Sequence, residues 1–558
     1  MSSTSSSTSE NRSTSLPFRI GLSISSCLLV LSGIACLFLG ILSIFSTANF
    51  KIDSSSSGIS PGFPSISEEI IFHYGLPSIQ FIIGCIFLAA GIMFIASVLC
   101  RIPAHHISRT LVIIVLLMSL MWVLSLNANG TFWYNDSRSL IDSAKAFLEK
   151  DYTQFTPSAS DHGPGSPQFY SYYSWYPYQT GAMLWFVLIF LITGVGNITG
   201  FQVINAFLTA GIAWELWHIS KRCGLNENAL RAEALLLILC IPLFTSSAFV
   251  YTNTIGLFLI LLAVLIAVIA NQATSTLRIC LLIGSTYLIA ALAIMFKGTV
   301  VIFAIALTIY LILTALIKQR YWIMLFCCIM FSVSYSLSSL SAIFVESVVG
   351  QKFGTGISQL SWIDMGLNPN SASQNPGWWN SDAIDLFQLT NGDSATQSQA
   401  ARQNILDSII TFLQNPDTAF HFFCDKLASE WTEPSYQTFH YTHLTETSSP
   451  GFLSIAFLRP LYPLVLSFEN VYQTIIYIFA LTGILKTFLS RKKITTNQLL
   501  AVTCISLCFL GGFGCFLLWE AKSIYTLPYM IMLIPLASVG LDDTMQKLIQ
   551  LKAKYLHH

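Results

Sequence analysis

Residues 181–195, GAMLWFVLIFLITGV, decide how the rest of this chain is threaded. The stretch is apolar enough to enter a membrane, and if it crossed, every later loop would change sides. Working outward, twelve other apolar runs of spanning length lie near 20–46, 77–100, 110–126, 201–219, 232–252, 255–270, 279–296, 299–317, 321–345, 470–489, 496–518 and 523–541. Each is close to the roughly 20 residues that a bilayer core requires. The basic residues decide between the two threadings, because cytoplasmic loops carry an excess of Lys and Arg. With 181–195 uncrossed and the N-terminus inside, the inner segments hold Arg101, Arg109, Lys221, Arg222, Arg231, Lys318, Arg320 and the run Arg491, Lys492, Lys493. A crossing would turn most of these outward. The expectation is twelve spans, with 181–195 a juxtamembrane or re-entrant helix on the outer side.

Composition agrees. Of 558 residues, 54% are hydrophobic and only 10% charged, and mean hydropathy is +0.65, whereas soluble domains carry about 25% charged residues. This excludes an ordinary soluble enzyme and predicts an all-α polytopic membrane protein. Lys plus Arg and Asp plus Glu both number 27, so no basic excess points to a nucleic-acid partner. Cys36, Cys85, Cys504 and most other cysteines sit in apolar runs and read as small core residues, not as a disulfide or zinc framework. Residues 1–16 are Ser/Thr-rich and predicted to be a disordered cytoplasmic tail. The run that follows is long enough to span and has no small-residue cleavage site, so it reads as a retained span. The predicted organisation is an N-terminal transmembrane hairpin over 17–109, a core over 110–345, C-terminal transmembrane helices over 470–541 and a cytoplasmic tail at 542–558. No internal repeat is evident.

Two long outer loops, 127–200 and 346–469, exceed what a connection between packed helices needs, and both are expected to be functional. In 400–431, Ile405, Ile409, Phe412, Phe420, Phe423, Leu427 and Trp431 recur at helical spacing on either side of Pro416, which predicts two amphipathic helices over the membrane face. The first loop opens NGTFWYNDSRSLIDSAKAFLEK (129–150). Leu140, Ile141, Ala144, Phe147 and Leu148 form one face of a helix starting near Ser137, with Asp136 at its beginning. A carboxylate there can act as general base toward an acceptor hydroxyl while a lipid-borne donor stays in the bilayer. It can equally be an N-cap.

SWYPYQTGAMLWF (174–186) places aromatic rings where they commonly anchor a chain at the interface. In the second loop, DMGLN (364–368), PGWWNSD (376–382) and SEWTEPSY (429–436) stand out. Trp378 and Trp379 suit stacking on a pyranose, with Asn and Asp pairing its hydroxyls; interfacial packing is the other reading. His440 and His443, spaced i and i+3, have no third metal ligand at useful spacing and read as ordinary loop residues.

A span, an outer loop opening on an acidic residue and an amphipathic helix, and a Tyr-Pro element leading into a juxtamembrane helix together resemble the GT-C superfamily of membrane glycosyltransferases. Its members include protein O-mannosyltransferases, the aminoarabinose transferase of lipid A and bacterial cell-envelope glycosyltransferases of the dolichyl-phosphate-mannose type. LWHISKRCG (216–224), PLFTSSAFVYTNT (242–254), MFKGT (295–299) and WEAKSIYTLPY (519–529) add to the likeness, which covers roughly 110–541. The chain departs from the pattern at Asn135, where the family often has a second acidic residue, and at Ile524, where it often has Arg.

The resemblance implies that Asp136 is the catalytic base and that the donor is a polyprenyl-phosphate-linked sugar. The carrier phosphate then leaves, and the acceptor is a glycan, lipid or protein. No metal or other cofactor is demanded. Lys297 and Lys522 are the best-placed cations for the carrier phosphate. Lys297 can instead snorkel to the surface, and Lys522 can form an ordinary surface pair with Glu520. Tyr176, Trp378, Trp379, Glu433, Glu520 and Tyr525 are the substrate-binding candidates. The expected function is an inverting glycosyltransferase on the outer face of a cell membrane. The alternative, a transporter or flippase of lipid-linked glycans, needs a polar midplane cavity, whereas ionisable residues within the spans are few, Glu215 being the clearest.

Overall fold

Nine helices among the described residues are long and apolar enough to cross a membrane, and the number reaches twelve when three bent pairs each count as one span. The computed structural model describes residues 16–156, 171–370 and 375–556; the Ser/Thr-rich tail falls almost wholly outside them. The chain is a multi-pass, almost entirely helical membrane protein. In chain order, α1 (Leu16–Phe45) leads into a hairpin of β1 (Ser46–Ser57) and β2 (Pro64–Tyr74), then α2 (Ile79–Val98) and α3 (Ala104–Ser125). The first long loop carries α4 (Asn135–Glu149) and α5 (Gln179–Thr193), and α6 (Ile198–Arg222), α7 (Glu227–Leu239), α8 (Asn253–Gln272), α9 (Thr276–Phe296), α10 (Val301–Ile317) and α11 (Tyr321–Ser338) follow. The second long loop carries α12 (Gln359–Leu367), α13 (Asp382–Leu389), α14 (Ser394–Gln414), α15 (Pro416–Trp431) and α16 (Thr438–His443). The chain ends with α17 (Tyr462–Ser490), α18 (Thr496–Leu518), α19 (Ser523–Ile531) and α20 (Ile534–Leu556).

Each bend has a local cause. Helices α5 and α6 meet at 105° across GVGN (194–197), where Gly194 and Gly196 take positive φ and the Asn197 side chain accepts from the Gly200 amide to start α6. The stretch 181–195 therefore turns away from the span that follows it. Helix α7 bends by 55° into a short helix beginning at Ile241, because Pro242 has no N–H and disfavours helical backbone at the residue before it. Helices α19 and α20 bend by 49° next to Pro535.

Large apolar side chains on α2 and α11, among them Phe87, Phe94, Leu325 and Ile329, point outward, as lipid-facing helices require. The two ends of the bundle differ chemically. At the basic end, Arg222 bonds Gln272, Lys318 bonds the Asn271 carbonyl, Arg231 reaches the carbonyls of Cys100 and Ile102, and Lys486 pairs with Asp543. The other end holds both long loops and the hairpin, stitched together where Trp133 donates to the Leu444 carbonyl and Glu446 to the Thr131 carbonyl. The hairpin itself carries no sequence signal strong enough to be predicted beside the spans. Its inward residues Phe50, Ile66 and Ile70 pack with Trp378 and Phe439, and Phe50 stacks on His440 at 5.5 Å.

Candidate functional site

The loop end gathers chemistry-bearing residues from eight separated stretches of sequence. Helix α4 starts at Asn135 with Tyr134 as its cap residue, and no side chain caps it. This corrects the N-cap reading of Asp136 and the predicted start near Ser137: the carboxylate lies in the first turn and is not spent on the helix. Tyr134 is held edge-on against Tyr441 at 5.2 Å and Tyr251 at 6.2 Å, which aims the helix start into the cluster.

The Tyr251 hydroxyl reaches an Asp136 oxygen at 3.5 Å, the long limit of a hydrogen bond, and itself accepts from the Gln179 side-chain amide. Burial raises the Asp136 pKa; Lys297, Lys522 and the hydroxyls of Tyr172 and Tyr251 counter part of that rise. A carboxylate with raised proton affinity that remains orientated by the Tyr251 hydroxyl is suited to general-base work.

Lys297 terminates α9 in an extended conformation. Its ammonium lies over the Tyr251 ring at 4.5 Å and the Tyr525 ring at 5.2 Å, a cation–π clamp. It makes no hydrogen bond or ion pair with any described residue. Burial lowers its pKa to about 8, against the pull of Asp136 and Glu520, so it is mostly charged at neutral pH and has no dedicated counter-ion. Position is set by Gly181 in α5. A Cβ there would stand 1.9 Å from the Met295 carbonyl oxygen, so only glycine lets α5 pack against the end of α9 two residues before Lys297.

Lys522 is held differently. Both oxygens of Glu68 lie 3.0 Å from its ammonium, His440 Nε2 is 3.5 Å from the same carboxylate, and Trp378 lies under the ammonium at 5.5 Å. Burial alone would raise Glu68, but Lys522 and His440 outweigh it and hold the carboxyl well below the usual range. The pairing of Lys522 with neighbouring Glu520 that the sequence admits is thus replaced by a pairing with the hairpin. Glu520 is left 4% exposed with one oxygen unbonded. Burial pushes it up to about 7, while Lys522, Lys426 and Lys297 draw it down and Asp136 opposes them.

The other candidates divide. Tyr176 packs against Trp362 at 6.2 Å, and its pKa is raised first by burial and then by Asp136, with Trp379 offsetting part of that rise, so these aromatics rim the site. Tyr525 forms part of the Lys297 clamp. The Trp378 indole is buried and donates to Ser429 at 3.0 Å; it supports Lys522 and presents no open face. Glu433 is fully buried and accepts from the Ser435 amide and hydroxyl, the Gln437 amide and the Ser523 hydroxyl. Its lone pairs are spent tying the second loop to the start of α19, which makes it a positioning residue. His443 bonds the His440 carbonyl, and burial holds its pKa down near 3.

Sequence reasoning missed Glu68, Gln179, Tyr172 and the role of Tyr251. Tyr251 lay inside a motif already noted (242–254), and Gln179 inside another (174–186), but no spacing links Glu68 to Lys522. Chemically, the arrangement offers a buried carboxylate, a cation without a direct ion pair and an aromatic rim at the loop end of the bundle. Compared with known proteins, the chain matches no family model and no curated sequence.

Proposed function

We propose that this protein is an inverting membrane glycosyltransferase of the GT-C type, acting at the outer face of a cell membrane. Asp136 takes the proton from an acceptor hydroxyl, the hydroxyl oxygen attacks the anomeric carbon of a polyprenyl-phosphate-linked sugar, and the bond from that carbon to the phosphate oxygen breaks. The leaving polyprenyl phosphate gathers negative charge beside Lys297, which feels Asp136 and Glu520 from a distance but makes no direct ion pair with either. Tyr251 touches both groups, orientating the base through its hydroxyl and clamping the lysine through its ring.

The observation that carries the reading is this pairing of an uncapped Asp136 with an unpaired Lys297 around one tyrosine. The likeness to GT-C motifs supports it, as does the crowding of basic side chains at the opposite end, which by the positive-inside rule faces the cytoplasm. Transport draws on Glu215 and Glu469, both buried within spans with no hydrogen-bond partner, but they lie on different helices and form no pair with each other.

The two readings separate in proteoliposomes loaded with a polyprenyl-phosphate sugar. A transferase releases polyprenyl phosphate in step with the sugar it transfers; a flippase moves the donor between leaflets intact. Movement without cleavage would overturn the proposal.

A further inference from the structure

The second long loop forms a half-open cavity of about 320 Å³ whose wall is shared with the site. Helix α12 separates them. The Trp362 carbonyl accepts from the Glu520 amide on one side, and Asp364, two residues on and so nearly opposite on the helix, lines the cavity. The motifs DMGLN and PGWWNSD, which the sequence singled out without a shared role, meet here: Asp364 and Asn368 come from the first, Asp382 from the second, and Asn404, Asp407 and Ser408 from α14.

Part of this lining is satisfied internally. The Asn404 amide donates to one Asp364 oxygen at 2.8 Å, and Asn368 and Asn380 donate to Asp382 at 3.2 and 2.7 Å. Part is not. Ser408 is 7% exposed and its hydroxyl bonds no described residue. Asp364, equally buried, has only one of its two oxygens engaged. Neither the Ser408 hydroxyl nor the free Asp364 oxygen is sealed off within the protein; both line the cavity and can bond a ligand there. Burial, with Asp382 nearby, also raises the Asp364 pKa.

The lining selects among ligands. Three carboxylates and no lysine or arginine repel phosphates and acidic sugars. Among the described residues no three His, Cys, Asp or Glu side chains gather as a metal set, and the volume far exceeds one ion. Amides, hydroxyls and carboxylates in alternation match the mixed donor and acceptor character of sugar hydroxyls. The opposite face of α14 turns Leu406, Ile410 and Leu413 outward, so the polar residues of this helix are gathered on the cavity side.

We propose that this cavity binds a sugar unit without an acidic group, neutral or amine-bearing, belonging to the glycan that accepts the transferred sugar. The word acceptor rests on the proposed transferase activity; the binding does not.

The test uses the full-length protein in nanodiscs and measures binding of three probes by calorimetry: a glucose trimer, a glucosamine trimer and a galacturonate trimer. Either or both of the first two should bind, and the third should not. Asp364→Asn should weaken binding about tenfold or more, as loss of a charged hydrogen-bond partner does, and Ser408→Ala severalfold. Asp136→Asn should bind like wild type, since it lies on the other side of α12. Binding by the free trimers marks a soluble glycan strand; binding only when the same sugars are displayed on a glycolipid marks a lipid-borne acceptor, and either supports the site.

No binding of neutral or amine-bearing sugars in either form would overturn it. So would equal binding by the galacturonate trimer, or calcium binding that depends on Asp364 in place of sugar binding. If Asp364→Asn unfolds, Ser408→Ala decides alone, and unchanged affinity there also overturns the proposal. Sugar binding without any transfer would remove the transferase reading and leave the cavity; transfer without sugar binding would do the reverse.

Discussion

Two lysines face the loop end of the bundle, and they are held in opposite ways. Lys522 has a dedicated counter-ion, with both Glu68 oxygens at 3.0 Å and His440 behind them. Lys297 has two aromatic faces and no acceptor among the described residues. A cation already neutralised gains little from a further anion and must give up its first partner to take one. A cation resting on tyrosine faces, with Asp136 and Glu520 near but not in contact, is desolvated and has its direct contact open, so an arriving phosphate displaces no partner. The difference ranks Lys297 ahead of Lys522 for the carrier phosphate, although the sequence places both at the same surface.

The comparison breaks most readily at Lys297. Lys297→Met should reduce donor use, measured as transfer at subsaturating donor, by roughly tenfold to a hundredfold, the range for losing a charge-assisted hydrogen bond, with the protein still inserted and folded. Equal loss in Lys522→Met would erase the distinction. Lys522→Met should instead act mainly on stability, lowering the melting temperature with a smaller, severalfold effect on donor use. Pairing it with Glu68→Gln should recover part of the lost stability, because the double variant no longer leaves Glu68, 40% exposed, without its counter-ion. Independent, additive losses would show that the pair is not coupled.

The pH dependence sharpens the same point. In the proposed reaction Asp136 works deprotonated and Lys297 protonated. Since burial lowers Lys297 to about 8, donor use should fall as pH rises through that value. Lys297→Arg, which stays charged, should move the falling limb upward. A limb unmoved by this change would assign it to another group. The smallest effect is on sidedness. In a background without reactive thiols, Gln399→Cys in α14 should label from outside, and Lys492→Cys, between α17 and α18, only from the cytoplasm. Labelling from the same side would undo the shared orientation of both lysines.

Much of the fold was legible because membrane helices announce themselves by length and apolarity. The basic residues far away in sequence argue that 181–195 does not cross; the 105° bend that follows it comes from GVGN (194–197), and the break before Pro416 from proline chemistry. The hairpin of β1 and β2 was not legible. Its alternation is short, and its inward residues make sense only against Trp378, Phe439 and His440, which lie more than 300 residues away. With it went Glu68, and so the partner of Lys522. Within the site, Asp136, Lys297 and Tyr525 were named from sequence, but Glu433 and Trp378 were given a substrate-facing role that burial and bonding within the chain redirect to positioning. A sequence shows which groups can do chemistry; whether a carboxylate is free or already saturated depends on partners from other segments.

Asp136 carries the central claim, and the structure makes its test cleaner, since the residue does not cap α4 and an amide there does not cost the helix a cap. Transfer from a polyprenyl-phosphate sugar should be measured at single turnover for wild type and Asp136→Asn in lipid-reconstituted protein, with donor binding measured separately. The account predicts donor binding within a few-fold of wild type and transfer slowed about a hundredfold to ten-thousandfold, the contribution of a general base. Transfer at close to the wild-type rate would contradict it.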